Sequence, residues 1–139
     1  MPKTFKLQVV IPDREVLAEE VSSVTVPGGD GEFTVWARHA SLLSNLRPGT
    51  LTVISENKKS FYFVSGGFFE VTPTSATVLA EEFEPADEIN QEKAEKAKKD
   101  ARAALAKPKE KAEIQAAKAS LARALARLKA VQQSQKPTK

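Results

Sequence analysis

The 139-residue sequence has no cysteine, one histidine and no long apolar run. Without cysteine the chain forms neither disulfides nor thiolate metal sites, a composition compatible with a reducing compartment. No run approaches the roughly 20 apolar residues of a membrane-spanning helix. Residues 1–5 also lack the apolar core of a signal peptide. We therefore expect a soluble protein that reaches a membrane only through its partners.

The residues needed for catalysis are also missing. A lone His39 cannot build a zinc site or a catalytic triad without suitable partners, so we interpret it as a partly buried polar residue or an interface contact. The glycine-rich segment 27–31 lacks the spacing of a phosphate-binding loop, and no helix follows it. It predicts a protruding loop that a partner contacts, or a simple hairpin turn. We predict no enzyme, no catalytic residue and no metal site.

Positive charge is concentrated in the second part of the chain. Residues 86–139 carry 14 Lys/Arg and 7 Asp/Glu, a net charge of +7, whereas residues 1–85 carry 7 and 11, a net charge of −4. A basic tail on an acidic module points to an anionic partner, with a solvated helix face as the alternative. Because no aromatic residue follows Phe83, nothing supports base stacking on single-stranded nucleic acid.

Up to Phe83 the sequence is typical of short strands separated by turns. Phe5, Leu7, Val9 and Ile11 alternate with other residues, which is the period-two pattern of a strand with one buried face. The glycine pair at 66–67 predicts a bulge or close strand packing, with a binding role for the neighbouring aromatic residues as the second interpretation. Turn signals about every 8–12 residues favour an antiparallel sandwich or barrel of eight to ten strands. No segment between them is long enough for a crossover helix, which argues against a parallel sheet. The predicted strands are residues 5–11, 16–18, 21–26, 33–36, 51–55, 61–64, 68–71 and 76–80.

The period changes at residues 84–88, where Ala/Lys/Glu-rich helix begins. We expect a first helix from near Glu88 or Ile89, capped by Asp87 or the turn before it. Proline at Lys107-Pro108 must interrupt it, and a second helix should run over about residues 109–131. We expect an easily opened hairpin, because alanine buries little apolar area, and a disordered tail at 134–139. The predicted apolar stripe of the second helix is Ile114, Leu121, Leu125 and Leu128, with Arg123 and Arg127 facing away from it.

Six short motifs follow one another along the whole chain. They are Phe5-Lys6-Leu7-Gln8-Val9-Val10-Ile11-Pro12, Val26-Pro27-Gly28 with Gly31-Glu32, His39 with Ser41-Leu42-Leu43, Leu46 with Pro48-Gly49, Gly66-Gly67-Phe68 with Glu70-Val71, and Ala122-Arg123-Ala124 with Arg127-Leu128. Each motif alone is weak, but their order and spacing together are specific. Together they resemble the ε subunits of bacterial and chloroplast F-type ATP synthases, whose mitochondrial counterpart is called δ.

The resemblance implies an antiparallel β-sandwich of about ten strands over residues 1–85, then a two-helix regulatory hairpin over residues 86–133. The sandwich of such subunits binds the rotor subunit γ and touches the c-ring of the membrane sector, coupling ring rotation to the catalytic head. Localisation would be the cytoplasmic face of a bacterial inner membrane, or the stromal side of a thylakoid. The implied c-ring and γ interface comprises Gly28, Gly29, Asp30, Gly31, Glu32, His39, Ser41 and Leu42.

In bacterial members the hairpin can open and extend along γ, so that its basic second helix meets a β subunit of the head and blocks ATP hydrolysis. Arg123 and Arg127 match those basic positions. ATP-binding members carry Ile or Leu, Asp, two variable residues, Arg and Ala at the start of the first helix. Here Asn90 replaces the Asp and Lys93 replaces the Arg, which weakens nucleotide recognition. We therefore predict no cofactor. The implied nucleotide residues are Ile89, Asn90, Lys93, Ala94, Arg123 and Arg127.

Three function classes follow from these patterns. The first is a non-catalytic rotor subunit of a proton-translocating ATP synthase, whose partners are γ, the c-ring and the α and β subunits of the head. The second is a nucleic-acid-binding protein that uses the basic tail, which predicts steep salt dependence. The third is a nucleotide sensor in which ATP clamps the helical hairpin, which predicts stabilisation by ATP. The resemblance favours the first class.

Overall fold

A computed structural model describes residues 4–107 and 110–135 of the chain. Ten strands in the described residues come first, followed by a single 3-10 turn at Ala86–Glu88 and two helices, α1 (Gln91–Leu105) and α2 (Lys111–Gln135). The strands are β1 (Phe5–Ile11), β2 (Arg14–Val21), β3 (Ser23–Gly28), β4 (Gly31–Trp36), β5 (Leu42–Leu46), β6 (Gly49–Ser55), β7 (Lys58–Val64), β8 (Gly67–Val71), β9 (Ser75–Ala80) and β10 (Phe83–Pro85).

The strands hydrogen-bond in the order β10-β7-β6-β3-β5-β8-β9-β1-β2, with β4 paired to β3. This arrangement confirms the predicted antiparallel β-sandwich, with one exception. Strands β1 and β9 run parallel, with Leu7 opposite Ala76 and Val9 opposite Val78. The lack of a crossover helix excludes parallel pairing only between strands that follow each other in the sequence. Because most of the sandwich separates β1 from β9 in sequence, no crossover helix is needed between them.

Two of the ten strands were missed in the sequence, β5 and β10. Strand β5 reads Leu-Leu-Ser-Asn-Leu, which contains no β-branched or aromatic residue, so its local preference for a strand is weak. It is a strand because it pairs along its whole length with β8. Strand β10 has only three residues and is held by pairing with β7.

The main core lies inside the sandwich and is built from the inward residues of alternating strands. Phe5, Leu7 and Val9 of β1 are buried there, as the period-two pattern predicts. On β7 the consecutive residues Phe63 and Val64 are both fully buried. Because consecutive strand residues point to opposite faces, Phe63 must be covered from outside the sandwich. A second apolar cluster of Phe63, Ala86, Ala126 and Ala130 provides this cover and includes α2.

The helix boundaries differ from the predicted ones. Helix α1 begins at Gln91, and its N-cap is Asn90 rather than Asp87, which lies in the 3-10 turn. Helix α2 continues to Gln135, so the predicted disorder is wrong for Ser134 and Gln135. Residues 136–139 lie outside the described residues, as does Pro108 of the predicted Lys107-Pro108 break. Helix α1 itself ends at Leu105.

The predicted leucine stripe of α2 is not its buried face. Leu125 remains 41% exposed, and Ile114, Leu121 and Leu128 are only partly buried. Helix α2 packs closely against α1, β6 and β7. In such close packing, alanine side chains fit where leucine side chains do not. Its buried side chains are Ala117, Ala124, Ala126, Ala130 and Val131.

Candidate functional site

Arg127 connects helix α2 to the sandwich through three contacts. Its Nη2 donates a hydrogen bond to Glu82 Oε2 at 2.7 Å, and its Nε donates to Glu84 Oε1 at 3.3 Å. The guanidinium also lies over the ring of Phe63, 4.3 Å from the ring centroid. Charge-assisted hydrogen bonds and a cation–π contact therefore act on one side chain. We call Phe63, Glu82 and Glu84 the arginine cradle.

Arg123 lies one helical turn before Arg127 and extends the same contact. Its Nε is 3.9 Å from Glu82 Oε1, and its Nη2 donates to Ser120 Oγ at 3.3 Å. The side of α2 away from the leucine stripe, where both arginines were expected, is not a solvated face, because Arg123 and Arg127 reach carboxylates of the sandwich. The cradle was missed because its carboxylates are separated from Arg127 by more than 40 residues.

The residues of the degenerate nucleotide motif meet at a small cavity between the helices. Ile89, Asn90, Lys93 and Ala94 line a space of about 430 Å3 together with Arg127. The cavity lining does not include Arg123. Asn90 Oδ1 accepts a hydrogen bond from the Lys93 backbone N–H at 2.9 Å, so its side chain is used as the N-cap of α1.

The two predicted rotor-facing segments lie apart. Gly28 and Gly31 are paired across β3 and β4, so Gly29 and Asp30 form a two-residue hairpin turn, followed by the exposed Glu32. This turn is fixed to the end of β5, since Gly29 N–H donates to Asn45 C=O at 3.0 Å.

His39 and Ser41 instead precede β5, and Leu42 begins it. The two segments are therefore separated by the length of a five-residue strand, about 15 Å. The His39 Nδ1 lies 2.7 Å from the Ala40 C=O, within hydrogen-bonding distance. Among the described residues the hydrogen bond of this side chain is to backbone, which is not a catalytic arrangement.

An exposed apolar patch lies on the sandwich, and of its members only Phe68 was considered for binding in the sequence. Phe68 and Leu79 are directly paired across β8 and β9, and Leu43 lies on the same face of the neighbouring β5. The adjacent pair Phe68-Phe69 indicates such a patch, because consecutive strand residues point to opposite faces and one of the two rings must therefore face outward. The exposed fractions are 69% for Leu43, 55% for Phe68 and 49% for Leu79. We call these three residues the apolar patch.

Neither a metal centre nor a membrane span is found in the part of the chain that the structure describes. No three histidine, aspartate or glutamate side chains there come together in a way that could hold a metal ion. Neither described helix combines the length and apolar character that crossing a membrane requires.

Known families match nearly the whole chain. The family model of the ATP synthase Delta/Epsilon chain beta-sandwich domain matches residues 4–86, and that of the long alpha-helix domain matches residues 87–132. The chain belongs to the ATP synthase delta/epsilon family. It is therefore a non-catalytic accessory subunit of an F-type ATP synthase, in its central stalk. This confirms the predicted family and the non-catalytic stalk subunit of the first function class, while its individual partner subunits stay a prediction.

Individual relatives agree with the family models. The chain is 45% identical over 129 residues to the ATP synthase epsilon chain of Nitratidesulfovibrio vulgaris, covering 93% of this chain and 96% of that one. It is 39% identical to the epsilon chain of Acidithiobacillus ferridurans over 95% of this chain and 94% of the other. A chain in the cryo-EM structure of Euglena gracilis mitochondrial ATP synthase (OSCP, F1 and c-ring) aligns with a TM-score of 0.82 and 33% identity. That alignment covers 90% of this chain and 79% of the Euglena chain.

Proposed function

We propose that residues 1–85 are a docking unit that binds the γ subunit and the c-ring, and so couples ring rotation to the catalytic head. The apolar patch carries this proposal. Exposed apolar residues that are contiguous on one sheet face are typical of a protein interface, and we assign the patch to γ. The Gly29-Asp30 turn, with the exposed Glu32 after it, is assigned to the polar loops of the c-ring.

Co-purification with γ tests the docking surface. Replacing Phe68 by Glu introduces a charge into the centre of the patch and should weaken binding by at least tenfold, as expected for a buried aromatic anchor. Trp36→Glu is the matched control, because Trp36 is equally exposed but lies on β4, outside the patch. Equal loss of binding in both variants, or no loss with Phe68→Glu, contradicts the assignment.

We further propose that residues 86–133 are a regulatory unit that inhibits ATP hydrolysis. In the open hairpin, Arg123 and Arg127 would contact acidic residues of a β subunit, since guanidinium groups suit carboxylates. The subunit would act at the cytoplasmic face of a bacterial inner membrane as part of the peripheral complex, in line with its similarity to bacterial epsilon chains.

Hydrolysis by a complex of α, β and γ, titrated with the chain, tests this regulatory role. The full chain should suppress hydrolysis, and Arg123→Ala with Arg127→Ala should relieve the suppression without loss of binding. Arg102→Ala is the control, because Arg102 is an exposed arginine of α1. If the double variant inhibits as well as the wild type, the arginines are not the inhibitory contact.

We infer that this chain senses nucleotide weakly or not at all, although one observation favours the site. Five of the six residues that the resemblance assigned to a nucleotide line one cavity. We expect little or no thermal stabilisation by millimolar ATP in the wild type, because Asn90 and Lys93 lack the carboxylate and the guanidinium of the binding motif. Asn90→Asp with Lys93→Arg should restore a measurable shift. A large shift in the wild type would contradict the expected weakening.

A further inference from the structure

The arginine cradle is a preformed cation site on the sandwich. Phe63 and Glu84 are directly opposite each other in the β7–β10 ladder. Glu82 is held against the β7–β8 connection by two hydrogen bonds, from its N–H to Ser65 Oγ at 2.8 Å and from Ser65 N–H to its C=O at 3.1 Å. Strand pairing fixes the backbone of Phe63 and Glu84, and the two hydrogen bonds to Ser65 fix that of Glu82, so the backbone of the site does not depend on α2 for its shape.

The remaining contact between α2 and the sandwich is small and apolar. Its buried part is Ala126 and Ala130 against Phe63 and Ala86, with Phe61 and Ile89 at its edge. Alanine has little apolar surface to bury, so this contact adds limited free energy. The directional part of the interface is the set of bonds from Arg123 and Arg127 to the cradle.

We propose that the arginine cradle is an electrostatic latch that keeps the hairpin closed, and that it competes with an external acidic partner for the same two arginines. Arg123 and Arg127 cannot bind the cradle and a partner's carboxylates at once, so opening requires their release. Since the ion pairs are partly exposed to solvent, added salt screens them and favours opening. The competition with a partner rests on the proposed inhibitory role, whereas the latch itself does not.

The competition predicts opposite effects on inhibition when the carboxylates of the latch are removed and when its arginines are removed. Removing the carboxylates opens the hairpin and leaves the arginines intact for the partner, so inhibition of hydrolysis should become stronger. Removing the arginines also opens the hairpin but eliminates the partner contact, so inhibition should be lost. If the contact only supported folding, removing the carboxylates and removing the arginines would both lower inhibition.

The latch is tested first in the isolated full chain. Because the sequence has no cysteine, Asp13→Cys in the β1–β2 turn and Gln132→Cys on the exposed side of α2 give two unique sites for a fluorescence energy-transfer pair. Glu82→Gln with Glu84→Gln, and separately Arg127→Ala, should raise the ratio of open to closed hairpin by about fivefold at low salt. Salt should open the wild type and change these variants much less.

The matched control is Glu81→Gln, which removes an exposed carboxylate beside the cradle. It should leave the ratio of open to closed hairpin unchanged. Energy transfer that stays high in both cradle variants, or a wild type that does not respond to salt, would overturn the latch.

The competition is tested with the α, β and γ head complex. Glu82→Gln with Glu84→Gln should lower the concentration of chain needed for half inhibition severalfold, and Arg127→Ala should raise it. Reduced inhibition both in the carboxylate double variant and in Arg127→Ala would overturn the competition. If the wild-type chain binds without inhibiting, the proposed inhibitory role and the competition fail together, while the energy-transfer result still decides the latch.

Discussion

At the residue scale, the glycine pair between β7 and β8 shows how a local pattern fixes backbone geometry. Gly66 and Gly67 have φ angles of +121° and +135°, which L side chains rarely adopt. A Cβ on Gly67 would overlap the Leu79 carbonyl oxygen of the neighbouring strand. The predicted close strand packing is confirmed, and its partner became known only from the β8–β9 register.

Gly67→Ala should therefore destabilise the protein by about 2–3 kcal/mol, through backbone strain and the clash with Leu79. Denaturant unfolding of the full chain measures this. Glu70→Ala is the control, because Glu70 is exposed on the same strand, and it should change stability by less than about 0.5 kcal/mol. Similar losses for both variants would show that the strain at Gly67 is not the cause.

Tyr62 makes stability depend on pH in the alkaline range. Burial raises the pKa of its hydroxyl above the ordinary value of 10.0, the Glu19 and Asp87 carboxylates raise it further, and a hydrogen bond with Ser60 opposes the shift. The folded state thus holds this proton more tightly than the unfolded chain does. The resulting stability is fully present below about pH 10 and is lost as the pH rises from there through the folded pKa.

Tyr62→Phe removes this proton while keeping a ring that stacks on Phe83, with the centroids 4.7 Å apart in the wild type. The free energy of unfolding should fall more steeply above about pH 10 in the wild type than in the variant. Lysine titration affects both proteins equally, so their difference isolates Tyr62. Parallel curves for the two proteins would contradict the assignment.

At the scale of elements, the strands were more predictable than the helix faces. Alternation identified β1 because an inward face of large apolar residues is a strong signal. On α2 the leucines formed the stronger pattern, yet the alanines are buried. The face of a helix that is buried depends on the distance between the helix and its neighbours. That distance cannot be read from the sequence of the helix alone.

The alanine face of α2 should not tolerate enlargement. Ala130 is fully buried against the sandwich, so Ala130→Leu should weaken docking of the hairpin by about 1–3 kcal/mol through overpacking. Faster hydrogen exchange along α2 with little change in the sandwich strands would report this. Ala119→Leu on the exposed side of the same helix is the control, and faster exchange there as well would point to loss of helix propensity.

At the scale of the whole molecule, the sequence showed the opposite charges of the two parts but not that they pair with each other. Glu82 and Glu84 come at the end of the acidic sandwich, and Arg123 and Arg127 belong to the basic tail. Their contact forms only once α2 folds back over β6 and β7. The basic tail therefore has an acidic partner inside the chain, which composition alone could not reveal.

Whether this subunit turns with the rotor can be observed directly. With no native cysteine, Lys58→Cys at the exposed first position of β7 accepts a single optical probe. The labelled chain is bound to an α, β and γ complex whose head is fixed to a surface, and ATP is added. A central-stalk subunit will carry the probe around in steps together with γ. A probe that stays bound but does not rotate during ATP hydrolysis would contradict a place in the rotor.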